Sequence, residues 1–219
     1  MKAKHNHLVL IPGLGADHRL FEPQRQRFPG LFVPTWLATE RNESLQAYAG
    51  RFARAIADKV CDVLGGVSFG GMIAYEVARL LRPRTLVLIA SGVGRQALAQ
   101  SLQMLAPVAA LGLTSQLATI PVLRRFVVSH LGGSTEREQK VFADMMDDAD
   151  PALLNWAPNA IMRWEPKPLR GVSIKRIHGS DDRVFPPDGN HPPDLLVEGA
   201  GHLVNMTHPG PVNDFLAAL

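Results

Sequence analysis

A single cysteine, Cys61, in a chain of 219 residues excludes any disulfide within the chain and fits a reducing compartment. The fold must therefore rest on a hydrophobic core, and a chain of this length suffices for one domain with a full one. No apolar run is long enough to cross a bilayer. The closest approach to a leader is two lysines followed by Leu8 to Ile11, which Pro12 and Gly13 cut off. That run is too short for a secretory h-region and reads as a first strand, so the expected location is cytoplasmic. Excess charge of one sign is also scarce: 23 Lys and Arg against 20 Asp and Glu give a formal net charge of +3. The densest basic groups, Arg82-Pro83-Arg84 and Arg124-Arg125, lack interleaved aromatics. They read as solvated surface rather than a nucleic-acid site. His5-Asn6-His7 has no partner at metal-ligand spacing, so no metal site is expected.

What is present is an alternation. Hydrophobic residues make up 46% of the chain, as in a globular protein. Strand-like runs fall at about residues 7–11, 31–34, 61–66, 84–90, 172–178 and 193–197, and Cys61 reads as a buried thiol in the third. Helical patterns fall near 17–28, 44–59, 69–82 and 208–219. In the second of these, Leu45, Tyr48, Phe52 and Ile56 recur at helical spacing after a Ser44 N-cap. Such alternation predicts an α/β fold: a mostly parallel sheet covered by helices on both faces. Ligands of these sheets bind beyond the carboxyl ends of the strands, so functional groups are expected there.

The alternation breaks between Ala90 and Val172. Thr135-Glu136-Arg137-Glu138 has the form of a capping box. Asp150-Pro151 has the form of an N-cap and first helical residue, leading Leu153, Ala157, Ile161 and Trp164 down one face. Residues 95–135, rich in Leu and Val, are expected to form a small cap over the active edge of a single domain. Met104 and Leu105, in its most apolar part, are candidate substrate-binding side chains.

The strongest motif is Gly66-Val67-Ser68-Phe69-Gly70, which reads G-x-S-x-G between a strand-like run and a helical one. A sharp strand-to-helix turn holds its middle residue exposed, while the glycines let other backbone come close. The Ser68 hydroxyl then stands beside a backbone N–H and the positive end of a helix, which suits a nucleophile. After the run at 172–178 comes His178-Gly179-Ser180-Asp181-Asp182-Arg183, and an acid there shares the edge of the sheet with Ser68. After the run at 193–197 comes Glu198-Gly199-Ala200-Gly201-His202, whose small residues permit a tight loop carrying an imidazole. The order Ser, acid, His is the one found in hydrolases built on such a sheet. Pro12-Gly13-Leu14-Gly15 follows the first strand, so the N–H groups of Leu14 and Phe69 are the candidate oxyanion hole.

With these motifs the chain resembles the alpha/beta-hydrolase fold superfamily over nearly its whole length. The resemblance implies Ser68 as nucleophile, Asp182 as orienting acid and His202 as base; Asp181 is the alternative acid, and the family's spacing favours Asp182. His178 reads as support for the strand end, His191 as part of a Pro-rich turn, and His208 as part of the last helix's first turn. Asp17, beside the oxyanion loop, reads as an N-cap. The family often has His-Gly where this chain has Pro12-Gly13, and the chain has no room for the first antiparallel strands of the full sheet. Six strands are therefore expected. The expected activity is hydrolysis of a small-molecule carboxylic ester or thioester, without metal or organic cofactor. Acyl transfer, carbon–carbon bond hydrolysis and non-catalytic ligand sensing are the alternatives. The sequence is silent on oligomeric state.

Overall fold

The computed structural model describes residues 8–59, 62–104, 107, 111–118, 120, 122, 127, 131 and 135–219. Among the described residues five strands form one parallel sheet: β1 (Leu8–Ile11), β2 (Val63–Val67), β3 (Thr85–Ile89), β4 (Ser173–Gly179) and β5 (Leu195–Val197). They lie side by side in chain order. The second of the six expected runs, at 31–34, shrinks to one parallel bridge between Val9 and Phe32. Phe32 N–H donates to the Leu8 carbonyl at 2.9 Å, and Leu10 N–H to the Phe32 carbonyl at 3.1 Å. Gly30 precedes this run and Pro34, which has no N–H to donate, ends it, so a longer ladder does not form.

Successive strand residues face opposite layers. Leu8, Leu10, Val63, Val67, Val87 and Ile89 belong to one buried cluster, whereas Val9, Ile11, Leu64, Leu86 and Leu88 belong to the other. Both layers are apolar, as a parallel sheet between helices requires. The covering helices are α1 (Glu22–Arg27), α2 (Leu45–Ile56), α3 (Phe69–Leu81), α4 (Gln100–Gln103), α5 (Thr114–Ala118), α6 (Glu136–Asp148), α7 (Pro151–Met162), α8 (Val204–Thr207) and α9 (Pro209–Ala217). A 3-10 turn at His18–Phe21 precedes α1.

Local chemistry explains the helix starts. Ser44 caps α2 by accepting from Ala47 N–H at 3.1 Å, and Leu45, Tyr48, Phe52 and Ile56 are all buried. Thr135 and Glu138 form the reciprocal capping box of α6, with bonds of 3.2 and 2.9 Å. Asp150 caps α7 through Ala152 N–H at 2.8 Å. Phe142 and Met145 of α6 join the Leu8 cluster, while Leu153, Ala157 and Ile161 of α7 join the Val9 cluster. Burial of each of the large side chains contributes about 1.5–3 kcal/mol. These two helices are therefore tied to the sheet's two layers. No helix among the described residues is long and apolar enough to cross a membrane.

Candidate active site

All five strands are parallel, so their carboxyl ends share one edge. From β1 the chain passes outward to Phe32 and then returns across β1 to β2. That reversal opens a crevice between the ends of β1 and β2, the place where such sheets bind ligands. Pro12 to Gly15 leave β1 there, and Ser68 leaves β2. Ser91 follows the end of β3, Asp182 follows β4, and His202 follows β5.

Ser68 is held with φ 54° and ψ −123°, a backbone state that L residues rarely adopt. Two contacts fix it there. Its N–H donates to the Ile89 carbonyl at 3.0 Å, and its carbonyl accepts from Ser91 Oγ at 2.7 Å. The glycines on either side give it room. A Cβ on Gly66 would collide with the Gly70 backbone, and a Cβ on Gly70 would collide with the carbonyl oxygens of Ile11 and Pro12. The turn after β2 is thereby pressed against the turn after β1. Gly13 lies so close that a Cβ there would stand 3.6 Å from Ser68 Cβ. The N–H groups of Leu14 and Phe69 take part in no hydrogen bond among the described residues. Phe69 opens α3, so the positive end of that helix meets the crevice.

His202 and Asp182 are 5% and 3% exposed, so their interaction is sheltered from solvent. His202 Nδ1 lies 3.1 and 3.0 Å from the two Asp182 carboxylate oxygens. Asp182 Oδ1 also accepts from the N–H groups of Val184 and Phe185, at 2.8 and 3.0 Å. The Phe185 ring stacks on the imidazole with centroids 6.0 Å apart and planes 16° from parallel. Asp181 is exposed and pairs with Ser180, so of the two neighbouring acids only Asp182 meets the histidine. Among the described residues no hydrogen bond joins Ser68 Oγ to His202; the imidazole–carboxylate pair is formed, and the serine–histidine bond is not.

His178 is buried beneath this pair with no hydrogen bond to its Nδ1 among the described residues. Burial lowers its pKa, against the opposing pull of the Asp182 charge. Asp17 caps the 3-10 turn, as expected, and Arg19 grips it through two bonds of 3.0 Å and one of 2.6 Å. Burial works against the Asp17 charge, but the Arg19 bonds prevail and hold its carboxyl below the usual value. Arg19 also reaches Asp148 at the end of α6, at 2.6 Å. His191 sits exposed against Asp188, and His208 precedes α9. Met104 lies at the surface, 74% exposed, and Leu105 falls outside the described residues. No group of three or more metal-ligating side chains occurs among the described residues.

Several neighbours of the site escaped the sequence. The Trp36 ring stacks on Phe69 at 5.4 Å, and Trp156 meets Phe69 edge-on at 6.1 Å. Trp36 Nε1 donates to the Ala16 carbonyl at 3.1 Å, and Trp156 Nε1 to the Glu43 carbonyl at 2.8 Å. Beside them a groove of about 370 Å³ is lined by Pro12, His18, Phe32 and Trp36 among others, and by none of Ser68, Asp182 or His202. Ser91 was open to prediction, since it too follows a strand on the active edge. Nothing local marks Phe185 or Trp36.

Residues 8–215 match the alpha/beta hydrolase family model, and the chain belongs to that family. No curated protein matches it by sequence. Solved structures similar to it include a thermophilic esterase from Thermogutta terrifontis, 18% identical, covering 96% of this chain and 88% of its own, with a TM-score of 0.72. Another is a candidate non-heme bromoperoxidase from Mycobacterium tuberculosis, 20% identical, covering 96% and 90%, with a TM-score of 0.72. A third belongs to epoxide hydrolases from hot-environment metagenomes, 16% identical, covering 96% and 89%, with a TM-score of 0.62. At these identities the likeness establishes the fold, which here carries more than one chemistry.

Proposed function

We propose that the chain is a serine hydrolase that cleaves a carboxylic ester or thioester through an acyl-enzyme. Ser68 Oγ attacks the carbonyl carbon while His202 Nε2 takes its proton. The carbonyl π electrons move onto oxygen, and the N–H groups of Leu14 and Phe69 hold that oxyanion. The intermediate collapses, the carbon–oxygen or carbon–sulfur bond to the leaving group breaks, and His202 returns the proton to it. Water, deprotonated by His202, then attacks the acyl carbon. The acid is released and Ser68 is regenerated. Asp182 holds the imidazole in one tautomer and stabilises its charged form.

The observation that carries this reading is the buried His202–Asp182 contact at 3.0 Å, on the same sheet edge as a serine held at φ 54°. A serine at the turn argues against epoxide hydrolysis through a carboxylate nucleophile. Residues 95–135 form the proposed cap of this single domain. The exposed Met104, Leu111, Leu113, Ile120 and Val122 are consistent with a segment that meets an apolar ligand.

Activated esters and thioesters tested with wild type and Ser68→Ala check the reading. Turnover should fall about 10⁴-fold or more in the variant. Added alcohol as a competing acceptor separates hydrolysis from acyl transfer, and retention of more than a few per cent of activity by Ser68→Ala contradicts the mechanism.

A further inference from the structure

Behind His202 lies a buried polar contact that the mechanism above does not use. Asn205, in the single turn α8, is completely buried, as is Gln24 in α1. Gln24 Nε2 donates to the Asn205 backbone carbonyl at 2.9 Å and to Asn213 Oδ1 at 3.0 Å. Asn205 Nδ2 donates in return to the Leu20 backbone carbonyl at 2.8 Å and to Gln24 Oε1 at 3.4 Å. Each amide thus grips the other's segment. The two segments are 181 positions apart in the chain, and nothing covalent sets their distance.

The ends of this clamp are telling. Asn205 stands three residues after His202, in the turn that begins as the histidine loop ends. Leu20 lies in the 3-10 turn that follows the proposed oxyanion loop, six residues after Leu14. Ala16, Leu20, Leu203 and Val204 lie in the same buried cluster, so the clamp has no slack on either side. Pure packing does not need these amides. Asn205 Oδ1 has no hydrogen-bond partner among the described residues, and packing alone does not account for a buried acceptor left at that cost. What a leucine cannot supply is direction.

We propose that Gln24 and Asn205 are positioning residues that fix the His202 imidazole relative to the Leu14 N–H, and so set alignment in the transition state rather than substrate affinity. This rests on the functional reading above, since it takes His202 as base and Leu14 as oxyanion donor. The clamp joins the group that moves the proton to the group that receives the charge, and a misplacement of about 1 Å between such groups costs on the order of 100-fold in rate.

The test compares wild type, Asn205→Leu, Gln24→Leu and Gln24→Met, the last close to glutamine in shape. For each, kcat and KM are measured on an activated ester, thermal unfolding is followed, and the deshielded His202 Nδ1 proton is observed by NMR. The expected result is a fall in kcat of about 10- to 100-fold with KM changed less than about twofold. The Nδ1 proton signal should broaden or vanish in variants that melt as wild type does. The double variant Gln24→Met with Asn205→Leu should be no slower than the slower single one, as for two groups acting as one unit. Folded variants with unchanged kcat and an unchanged Nδ1 signal would overturn the proposal, as would a loss confined to KM. If the wild type turns over no ester, the functional reading fails by itself. The NMR comparison then still decides whether the clamp holds the imidazole.

Discussion

His202 presents Nδ1 to both oxygens of Asp182, at 3.1 and 3.0 Å, where almost no solvent reaches either side chain. The exposed Asp181, one residue earlier, makes no such contact. Asp182→Asn should therefore lower kcat by about 10⁴-fold, because the amide stabilises the wrong tautomer. Asp181→Asn should leave kcat within about twofold, as surface changes do. Steady-state kinetics on one ester separates the two, and the reverse ranking would move the acid by one residue.

His178 makes stability fall on the acid side. Burial lowers its folded-state pKa below the ordinary value of 6.5, against the raising effect of Asp182 and with a smaller lowering from His202. As pH falls, the unfolded chain takes up the proton first. The contribution is therefore complete above about 6.5 and is lost progressively below it. Urea unfolding between about pH 8 and about pH 5 should show this decline, with a shallower slope in His178→Asn. Equal slopes would mean that the buried imidazole takes up its proton as readily in the folded state as in the unfolded chain.

Two glycines of the crevice, Gly70 and Gly13, should respond unequally. Gly70→Ala drives a methyl into the carbonyls of Ile11 and Pro12, backbone that cannot give way cheaply. It should cost about 1–3 kcal/mol or more of stability. Gly13→Ala meets Ser68 Cβ at 3.6 Å, ordinary contact, and should leave the melting temperature nearly unchanged. Thermal unfolding of both variants checks the contrast.

Trp36 braces the start of α3 by stacking on Phe69 at 5.4 Å and holds the loop after β1 by donating to the Ala16 carbonyl at 3.1 Å. Trp36→Phe should lose about 1 kcal/mol, the worth of the hydrogen bond. Trp36→Ala should lose about 3 kcal/mol and slow turnover as well. Chemical denaturation with kinetics at the same temperature measures both.

Those residues mark where the sequence becomes unreadable. The G-x-S-x-G turn and the caps at Ser44, Thr135 and Asp150 are local signals, written in neighbouring residues, whereas Asp182 and His202 were singled out by the resemblance to a family. The apolar faces of α2 and α7 were legible for the same reason: their period is intrinsic to the helix. The second expected strand was overread. Leu31, Phe32 and Val33 have strand-like side chains, but how far they pair depends on Gly30 and Pro34 at their ends. Phe185 on His202, Trp36 on Phe69 and Gln24 on Asn205 are contacts between segments that only the folded chain brings together. No periodicity or spacing announces them.

The central claim is that Ser68 is the nucleophile, and covalent capture tests it most directly. The folded protein is treated with a fluorophosphonate, digested, and the modified peptide identified by mass, with heat-denatured protein and Ser68→Ala as controls. The expected result is one label per chain, on Ser68, dependent on the fold, slowed on the order of 10⁴-fold in Asp182→Asn, and prevented by prior incubation with an ester that is turned over. Labelling of another residue, or no labelling of a folded chain that still turns over esters, would contradict it.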